Sequence, residues 1–448
     1  MFTPTFVSER FAACTDRRAW LAAMLEFEAA LVRAQADVGV LDPGVAERIA
    51  RECAADGFDV DSIAERAASS ATPVIPLVND LTERVPQEVS GWVHRGATSQ
   101  DVVDTAAMLV ARTALDRLLE ELRGVADECA RLARQHRDTV MTGRSLLQQA
   151  LPTTFGRKAA GWLGGVVDAT DPVARLRRER LAVQFGGPVG TLATLGTSGV
   201  SVAAALAERL GLAEPVLPWH TERTRTGELA SALGTVAGTL GKIALDVKLG
   251  AQTELGELAE GSSGGSSAMP HKRNPVRAVR VTAAARRVPG LVATLLSAMP
   301  QEHERGAGDW QAEWEPFTEL LRLTGTAASL TREMLADLRV NTTAMRTNLD
   351  VTGGALLAER VSAVLAPELG ARRAKELVTG LVSGIGDDGG GLRAELLDDP
   401  TVRSVLSEQA VLEVTDPEGY LGSAAEFVDR ALERYTSWKE TSTGDSGL

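Results

Sequence analysis

The feature that most constrains the fold is an apolar seam in which hydrophobic residues recur at alternating steps of three and four. Its members are Met108, Ala111, Leu115, Leu118, Leu122, Val125, Cys129 and Leu132. This spacing places them on one face of a single long helix. A second seam has the same spacing and contains Leu229, Leu233, Val236, Leu240, Ile243 and Val247. A seam that continued for thirty-odd residues would reach about 50 Å, which exceeds the width of a small domain. We therefore predict an all-α protein with a central bundle of long helices.

Composition supports a helical fold. The 448-residue chain is rich in Ala, Leu, Glu and Arg, and only 4% of its residues are aromatic. Further helical runs are predicted at about 276–288 and 316–338, and strand signals are weak throughout. In the second seam, Gly234, Gly238 and Gly241 would let neighbouring helices approach closely. Helices this long often bury their remaining apolar surface against other subunits, so we expect a homo-oligomer.

Proline and glycine divide the rest of the chain. The segment 73–86 is predicted to be irregular, and glycines at 353 and 354 interrupt the helical pattern after the bundle. We predict three helical domains: an N-terminal domain over 1–94, a central long-helix domain over 95–350 and a C-terminal domain over 351–448.

Charge and hydropathy exclude several classes of protein. The net charge of -13 argues against nucleic acid as a partner, since phosphate neutralisation needs a basic surface. The chain contains no run of about 18 apolar residues, so we expect no membrane span. The N-terminus shows no basic region followed by an apolar region, so we expect no secretory signal. Cys14, Cys53 and Cys129 are too few and too scattered for a disulfide framework or a zinc site. We expect a cytoplasmic protein.

The stretch GGSSAMPHKRNP, residues 264–275, concentrates hydroxyls, an amide and positive charge in an acidic chain. A Gly-Ser linker followed by a helix start would explain GGSS alone. The full string does more, because Lys272 and Asn274 can clamp a carboxylate while a mobile loop brings a serine to a carbon acid. Pro275 then stands where a helix favours proline, at its first position.

This string resembles the signature GSSxMPxKxN of the fumarase/aspartase superfamily, which it matches without a gap over residues 265–274. The resemblance implies an all-α homotetramer with a core of twenty long helices, active sites shared between three subunits, and no metal or organic cofactor. Members cleave a C–N or C–O bond beta to a carboxylate, or run the reverse reaction. By position, Ser266 would be the base at the alpha carbon and Ser267 would contact the substrate. Lys272 and Asn274 would stabilise the resulting aci-carboxylate.

Other stretches resemble further active-site regions of the superfamily. In GATSQD, residues 96–101, the carboxylate-binding roles fall on Thr98 and Ser99, although the same residues could cap the following helix. In GRSLLQQALPTTFG, residues 143–156, the substrate-binding glutamine maps to Gln148. Further predicted substrate contacts lie inside matched stretches and are Arg95, Arg144, His220 and Arg305.

One departure narrows the choice within the superfamily. Where many relatives have threonine and a histidine acid, this chain has Ser145 and Leu146, and no histidine lies in 62–93, where adenylosuccinate lyases carry another. Bacterial 3-carboxy-cis,cis-muconate cycloisomerases share this lack of a histidine acid, and the chain resembles them along most of its length. The supporting stretches are IPLV (75–78), VHRGATSQD (93–101), LLQQALPTTFG (146–156), VQFGGPVGTLATLG (183–196), PWHTER (218–223) and PQEHERGAGDWQAEWE (300–315).

This resemblance implies an intramolecular lyase that lactonises a small polycarboxylate, 3-carboxy-cis,cis-muconate. Two alternatives stay open. The scaffold could instead release fumarate from a substituted succinate whose leaving group is an amine or nitrite. It could also be a non-catalytic structural tetramer, although an intact signature argues against that.

Overall fold

In the computed structural model, residues 6–262, 264–265, 269–385 and 390–444 are described. Ser266 and Ser267 lie outside these residues. The all-α prediction is confirmed, because helices dominate the described chain. Five long helices span the middle of the chain: α6 (Ser99–Gln135), α7 (Phe155–Glu179), α9 (Thr224–Gly250), α10 (Val276–Ser297) and α12 (Trp314–Ala336). The two predicted seams lie in α6 and α9.

The remaining helices precede, separate or follow these five along the chain. Before them come α1 (Glu9–Ala12), α2 (Arg17–Asp37), α3 (Pro43–Glu52), α4 (Val60–Ser70) and α5 (Val74–Arg84). Between them lie α8 (Gly199–Leu210) and α11 (Asp309–Ala312). The C-terminal helices are α13 (Thr342–Asn348), α14 (Ala358–Leu369), α15 (Ala371–Ser383), α16 (Gly391–Asp398), α17 (Pro400–Val405), α18 (Glu408–Val414) and α19 (Ala424–Gly444).

The prediction that segment 73–86 is irregular is wrong, because most of this segment forms α5. Proline at 73 precedes the helix and Pro76 stands in its first turn, where the backbone N–H groups have no helical partner anyway. The prediction for α10 ended too early. That helix continues past Val288 with Pro289 inside it.

The predicted close approach of helices at glycine is confirmed at two of three positions. A Cβ added at Gly234 would lie 3.1 Å from a methyl group of Val292, and one at Gly241 would lie 2.8 Å from the Cβ of Ala285. Both partners are on α10, so these glycines let α9 pack tightly against it. At Gly238 a Cβ would meet nothing within 4 Å.

Two small antiparallel pairs of strands accompany the helices, and the sequence did not predict them. Strands β1 (Val140–Ser145) and β2 (Gln148–Thr154) form a hairpin, while β3 (Leu258–Ala259) pairs with β4 (Arg339–Val340). The hairpin turn consists of Leu146 and Leu147, whose φ values are +51° and +65°. Their side chains are 95% and 80% exposed. Two leucines in the left-handed region at an exposed tip are unusual, because each costs about 1 kcal/mol or more.

The chain divides into two compact units. The first comprises Met1–Arg123, Asp168–Gly241 and Arg280–Leu330, and the second comprises Gly124–Val167, Lys242–Val279 and Thr331–Leu448. The three predicted domains, with boundaries after residues 94 and 350, stay a prediction. No helix within the described residues is both long and apolar enough to cross a membrane.

Candidate active site

The start of α6 carries the first predicted substrate contacts. The backbone N–H of Thr98 donates to Oδ2 of Asp101 at 3.0 Å, which is one half of a capping box. The side chain that caps the backbone here is that of Asp101, whereas the sequence predicts the capping role for Thr98 and Ser99. Ser99 is the first residue of the helix and is half-buried. Because the Asp101 carboxylate caps the backbone, the hydroxyl of Thr98 is left for another partner.

That partner is Arg305, whose Nη1 donates to Oγ1 of Thr98 at 2.9 Å. Arginine has no acceptor, so the hydroxyl oxygen must accept and its proton is left to donate elsewhere. The Nε of Arg305 is buried and has no partner among the described residues. Burial lowers the pKa of Arg305, with Asp101 and Asp104 opposing this, yet a guanidinium stays charged. Two predicted residues thus combine as donors for an anion.

Asp101 is the centre of a buried hydrogen-bond network. Its Oδ1 lies 2.7 Å from Nε2 of His220 and accepts the backbone N–H of Gly186 at 3.0 Å. Its Oδ2 accepts the N–H of Gly187 at 2.9 Å, besides that of Thr98. The side chains of Asp101 and His220 are 0% and 4% exposed. The geometry makes His220 a support for Asp101, and its predicted contact with substrate stays a prediction.

A second buried cluster lies one helical turn further along α6. Asp104 accepts two hydrogen bonds from Arg223, at 2.7 and 3.1 Å, and Arg223 also pairs with Glu313. Burial alone would lower the pKa of Arg223, but the two carboxylates raise it above its usual range. Burial raises the pKa of Glu313, and Arg223 offsets this only in part. The Nε1 of Trp310 donates to Asp104 at 3.0 Å, which fixes an indole whose ring centre lies 5.9 Å from the Arg305 guanidinium.

The loop before α6 is held from α2 at two points. Nδ1 of His94 lies 2.6 Å from Oε1 of the buried Glu28, and Nε2 of Gln35 donates to the carbonyl of Arg95 at 2.8 Å. Burial opposes protonation of His94, but Glu28 raises its pKa above the ordinary value. His94 and Gly96 have φ values of +58° and +86°. This geometry leaves the Arg95 side chain exposed, with its guanidinium 4.2 Å from the ring centre of Trp92.

The hairpin of the second unit carries two further predicted residues. Arg144 makes a two-point ion pair with the buried Glu257, at 2.6 and 2.9 Å, and Glu257 also accepts from Asn348. The charge of Arg144 is thus matched by a carboxylate, which favours a supporting role, and its substrate contact stays a prediction. Gln148 follows the turn directly and is exposed. The ion pair therefore anchors the strand that precedes the exposed tip.

Backbone hydrogen bonds join the two ends of the signature loop, the segment 264–275 that carries the superfamily motif. Gly264 and Asn274 exchange two backbone hydrogen bonds, at 3.1 and 3.0 Å, so their ends of the loop are held together. Lys272 is exposed and Asn274 is half-buried. The helix that follows, α10, is capped by Glu260, which accepts the N–H of Ala278 at 2.8 Å. The predicted base, Ser266, and the neighbouring Ser267 lie outside the described residues.

The sequence contained an unused signal for the buried network. Asp101 and Asp104 are three residues apart at the start of a strongly apolar helix, and His220 and Arg223 have the same spacing. Acidic residues on an apolar face predict buried partners, and the matching basic pair supplies them. Among the described residues no group of three or more His, Cys, Asp or Glu is placed to hold a metal ion. The expected independence from metals and organic cofactors stays a prediction.

Comparison with known proteins places this geometry in a family. The sequence pattern of a family described as lyase matches residues 7–290, more than half of the chain. The chain belongs to the fumarase/aspartase superfamily of lyases. A second pattern, described as adenylosuccinate lyase C-terminus, matches residues 354–431 of this superfamily member.

Individual relatives match the lyase over nearly its whole length. A 3-carboxy-cis,cis-muconate cycloisomerase of Pseudomonas aeruginosa is 44% identical, covering 96% of this chain and 95% of that protein. A nitrosuccinate lyase of Streptomyces davaonensis is 42% identical, covering 96% of this chain and 94% of that protein. The crystal structure of a 3-carboxy-cis,cis-muconate lactonizing enzyme from Pseudomonas putida has a TM-score of 0.94 and 41% identity, covering 98% of this chain and 99% of that one.

Proposed function

We propose that this lyase closes 3-carboxy-cis,cis-muconate to a carboxymuconolactone. The observation that carries the proposal is likeness over nearly the whole chain to enzymes named for this substrate, at 44% identity in sequence and a TM-score of 0.94 in structure. The preformed pair of Thr98 and Arg305 supports it, because a tricarboxylate needs several ionic donors.

The proposed reaction forms one C–O bond and moves one proton. A carboxylate oxygen of the substrate adds to a double bond of the same molecule, and the electron pair moves onto a neighbouring carboxylate as an aci-carboxylate. The carbon alpha to that aci-carboxylate then takes one proton. The adding carboxylate needs no general base, since it is already ionised near neutral pH. A site with Leu146 in place of a histidine acid suits this chemistry, because no amine or hydroxide leaves.

In this proposal the signature loop performs the chemistry. Ser266 holds and transfers the proton at the alpha carbon, while Lys272 and Asn274 stabilise the extra negative charge on the aci-carboxylate. Ser267 contacts the substrate beside them. Thr98, Ser99 and Gln148 orient the carboxylates, with Arg305 and Arg95 as the accompanying cations. Arg144 supports the site through its ion pair at the hairpin, and His220 supports it through its contact with Asp101.

A second candidate function is elimination of nitrite from nitrosuccinate. The 42% identity to the Streptomyces davaonensis enzyme favours it, and nitrite leaves with little protonation, so Leu146 fits this reaction as well. A non-catalytic structural role is not favoured, because these full-length relatives are named as enzymes. We further propose a cytoplasmic homotetramer whose active sites combine residues from three subunits.

The two chemistries differ in their products, which decides the experiment. The purified protein is incubated separately with 3-carboxy-cis,cis-muconate and with nitrosuccinate, and products are followed by proton NMR. Lactone from the first substrate at a far higher kcat/KM supports the proposal. Fumarate and nitrite from the second at the higher kcat/KM would replace it with the elimination reaction. Ser266→Ala serves as the control for protein-independent reaction of either compound.

A further inference from the structure

A large cavity in the first unit belongs to neither the network around Asp101 nor the signature loop. Its volume is about 650 Å³, within the range of small-molecule sites. The walls come from α2, α4, α10 and α12, together with Val103 of α6. Most of the lining is apolar and includes Trp20, Leu21, Met24, Ile63 and Leu291.

One cation in this cavity, Arg322, forms no ion pair with a carboxylate of the described residues. The guanidinium of Arg322 donates from Nε to Oγ1 of Thr15 at 2.8 Å and from Nη2 to the Thr15 carbonyl. Both recorded partners are neutral oxygens, and among the described residues no partner is recorded for its Nη1. The other two arginines in the lining differ, because Arg287 pairs with Glu319 and Arg17 pairs with Asp61. Arg322 therefore supplies a fixed positive charge beside an apolar wall.

One acidic side chain in the lining bears on the charge that a ligand can carry. Glu315 is exposed and lines the same cavity, and its carboxylate opposes a second negative charge on any ligand.

We propose that this cavity binds an amphipathic monocarboxylate, distinct from the polycarboxylate substrate. The carboxylate pairs with Arg322, and the apolar body packs against Trp20, Leu21 and Met24. Specificity for one carboxylate follows from the single unmatched cation and from the presence of Glu315.

The test is isothermal titration calorimetry with 2-naphthoate on the full-length protein in its native assembly. Wild type is expected to bind 2-naphthoate, and Arg322→Gln to bind it roughly tenfold or more weakly, since a charge-assisted contact is lost. The neutral 2-naphthamide should bind both proteins alike, and the tricarboxylate citrate should not compete. Arg305→Gln, altered in the candidate active site, should bind 2-naphthoate as wild type does.

A filled cavity gives a test that leaves Arg322 in place. Ala64 is exposed and lines the cavity, whereas Ala68, one turn later on α4, is exposed but outside the lining. Ala64→Trp should abolish binding, and the matched Ala68→Trp should not. The proposal is overturned if folded wild type does not bind 2-naphthoate at a concentration of about 1 mM, because most specific ligands have dissociation constants below that. Equal binding by Ala64→Trp, or loss of binding in Arg305→Gln alone, overturns it as well.

Discussion

Nε2 of His220 lies 2.7 Å from Oδ1 of Asp101, and both side chains are almost completely shielded from solvent. The same carboxylate accepts backbone N–H groups from Thr98, Gly186 and Gly187. One buried side chain therefore joins three separate segments of the chain beneath the predicted carboxylate-binding residues. It positions Thr98 without needing to contact substrate itself.

Asp101→Asn should destabilise the fold strongly. The amide would turn a donor toward groups that are already donors, leaving buried N–H groups unpaired, and we expect a loss of about 3 kcal/mol in the free energy of unfolding. Urea denaturation measures it. Asp116→Asn on the same helix is the control, because that exposed carboxylate pairs with Arg177 and should matter by less than about 1 kcal/mol. Equal effects of the two substitutions would contradict the role of Asp101.

The contact between His94 and Glu28 predicts a pH-dependent stability. Since the folded-state pKa of His94 lies above its ordinary 6.5, the pair contributes stability that is fully present below about pH 6.5. That contribution is lost as pH rises through the folded-state pKa. Glu28→Gln should therefore destabilise most at pH 5.5 and progressively less toward pH 8.5. Urea midpoints of both proteins across this range test it, and a difference that grows with pH would refute it.

The hairpin tip should carry removable backbone strain. Replacing Leu146 and Leu147 by Asn-Gly, the dipeptide that suits two left-handed residues in a tight turn, should raise the free energy of unfolding by about 1 kcal/mol or more. The urea midpoint reports the change. Leu151→Asn in β2 is the control, because this partly exposed leucine is not at a positive φ and should give no gain. No stabilisation at the tip would mean that the strain is absent in solution.

Thr98 and Arg305 should act as a coupled pair. Thr98→Val and Arg305→Gln should each lower kcat/KM by roughly 10- to 100-fold, since each removes a donor to the substrate. The double variant should lose less than the product of the two effects, with a coupling of about 1 kcal/mol in a mutant cycle. Thr113→Val on the same helix should be neutral, because this exposed hydroxyl donates to the carbonyl of Leu109 within the helix. Multiplicative losses in the cycle would show that the recorded contact does not matter for turnover.

Sequence periodicity was enough to predict α6 and α9, whereas α7 was not predicted. The seams of α6 and α9 repeat over many turns, so one local irregularity cannot hide them. The end of α10 was missed because proline normally ends a helix, and Pro289 is tolerated here in the interior. The hairpin was missed because a Leu-Leu turn has none of the asparagine or glycine that announces a two-residue turn.

The candidate site was only partly predictable. Motif likeness identified Thr98 and Arg305, and the structure joins them although they lie far apart in the chain. The supporting pairs were not identified, because Asp101 and His220 are 119 residues apart and their matching three-residue spacings do not say which acidic residue pairs with which basic one. Ser266 and Ser267 rest on the signature alone, since they lie outside the described residues.

The proposed lactonisation can be tested by following the diene absorbance of 3-carboxy-cis,cis-muconate with wild type and Ser266→Ala side by side. Circular dichroism and sedimentation would first establish that both proteins fold and assemble alike. We expect rapid loss of absorbance with wild type and a rate lower by about 100- to 10,000-fold in the variant, because the substitution removes a proton-transfer group. No loss of absorbance with folded wild type, or equal rates for the two proteins, would contradict this expectation.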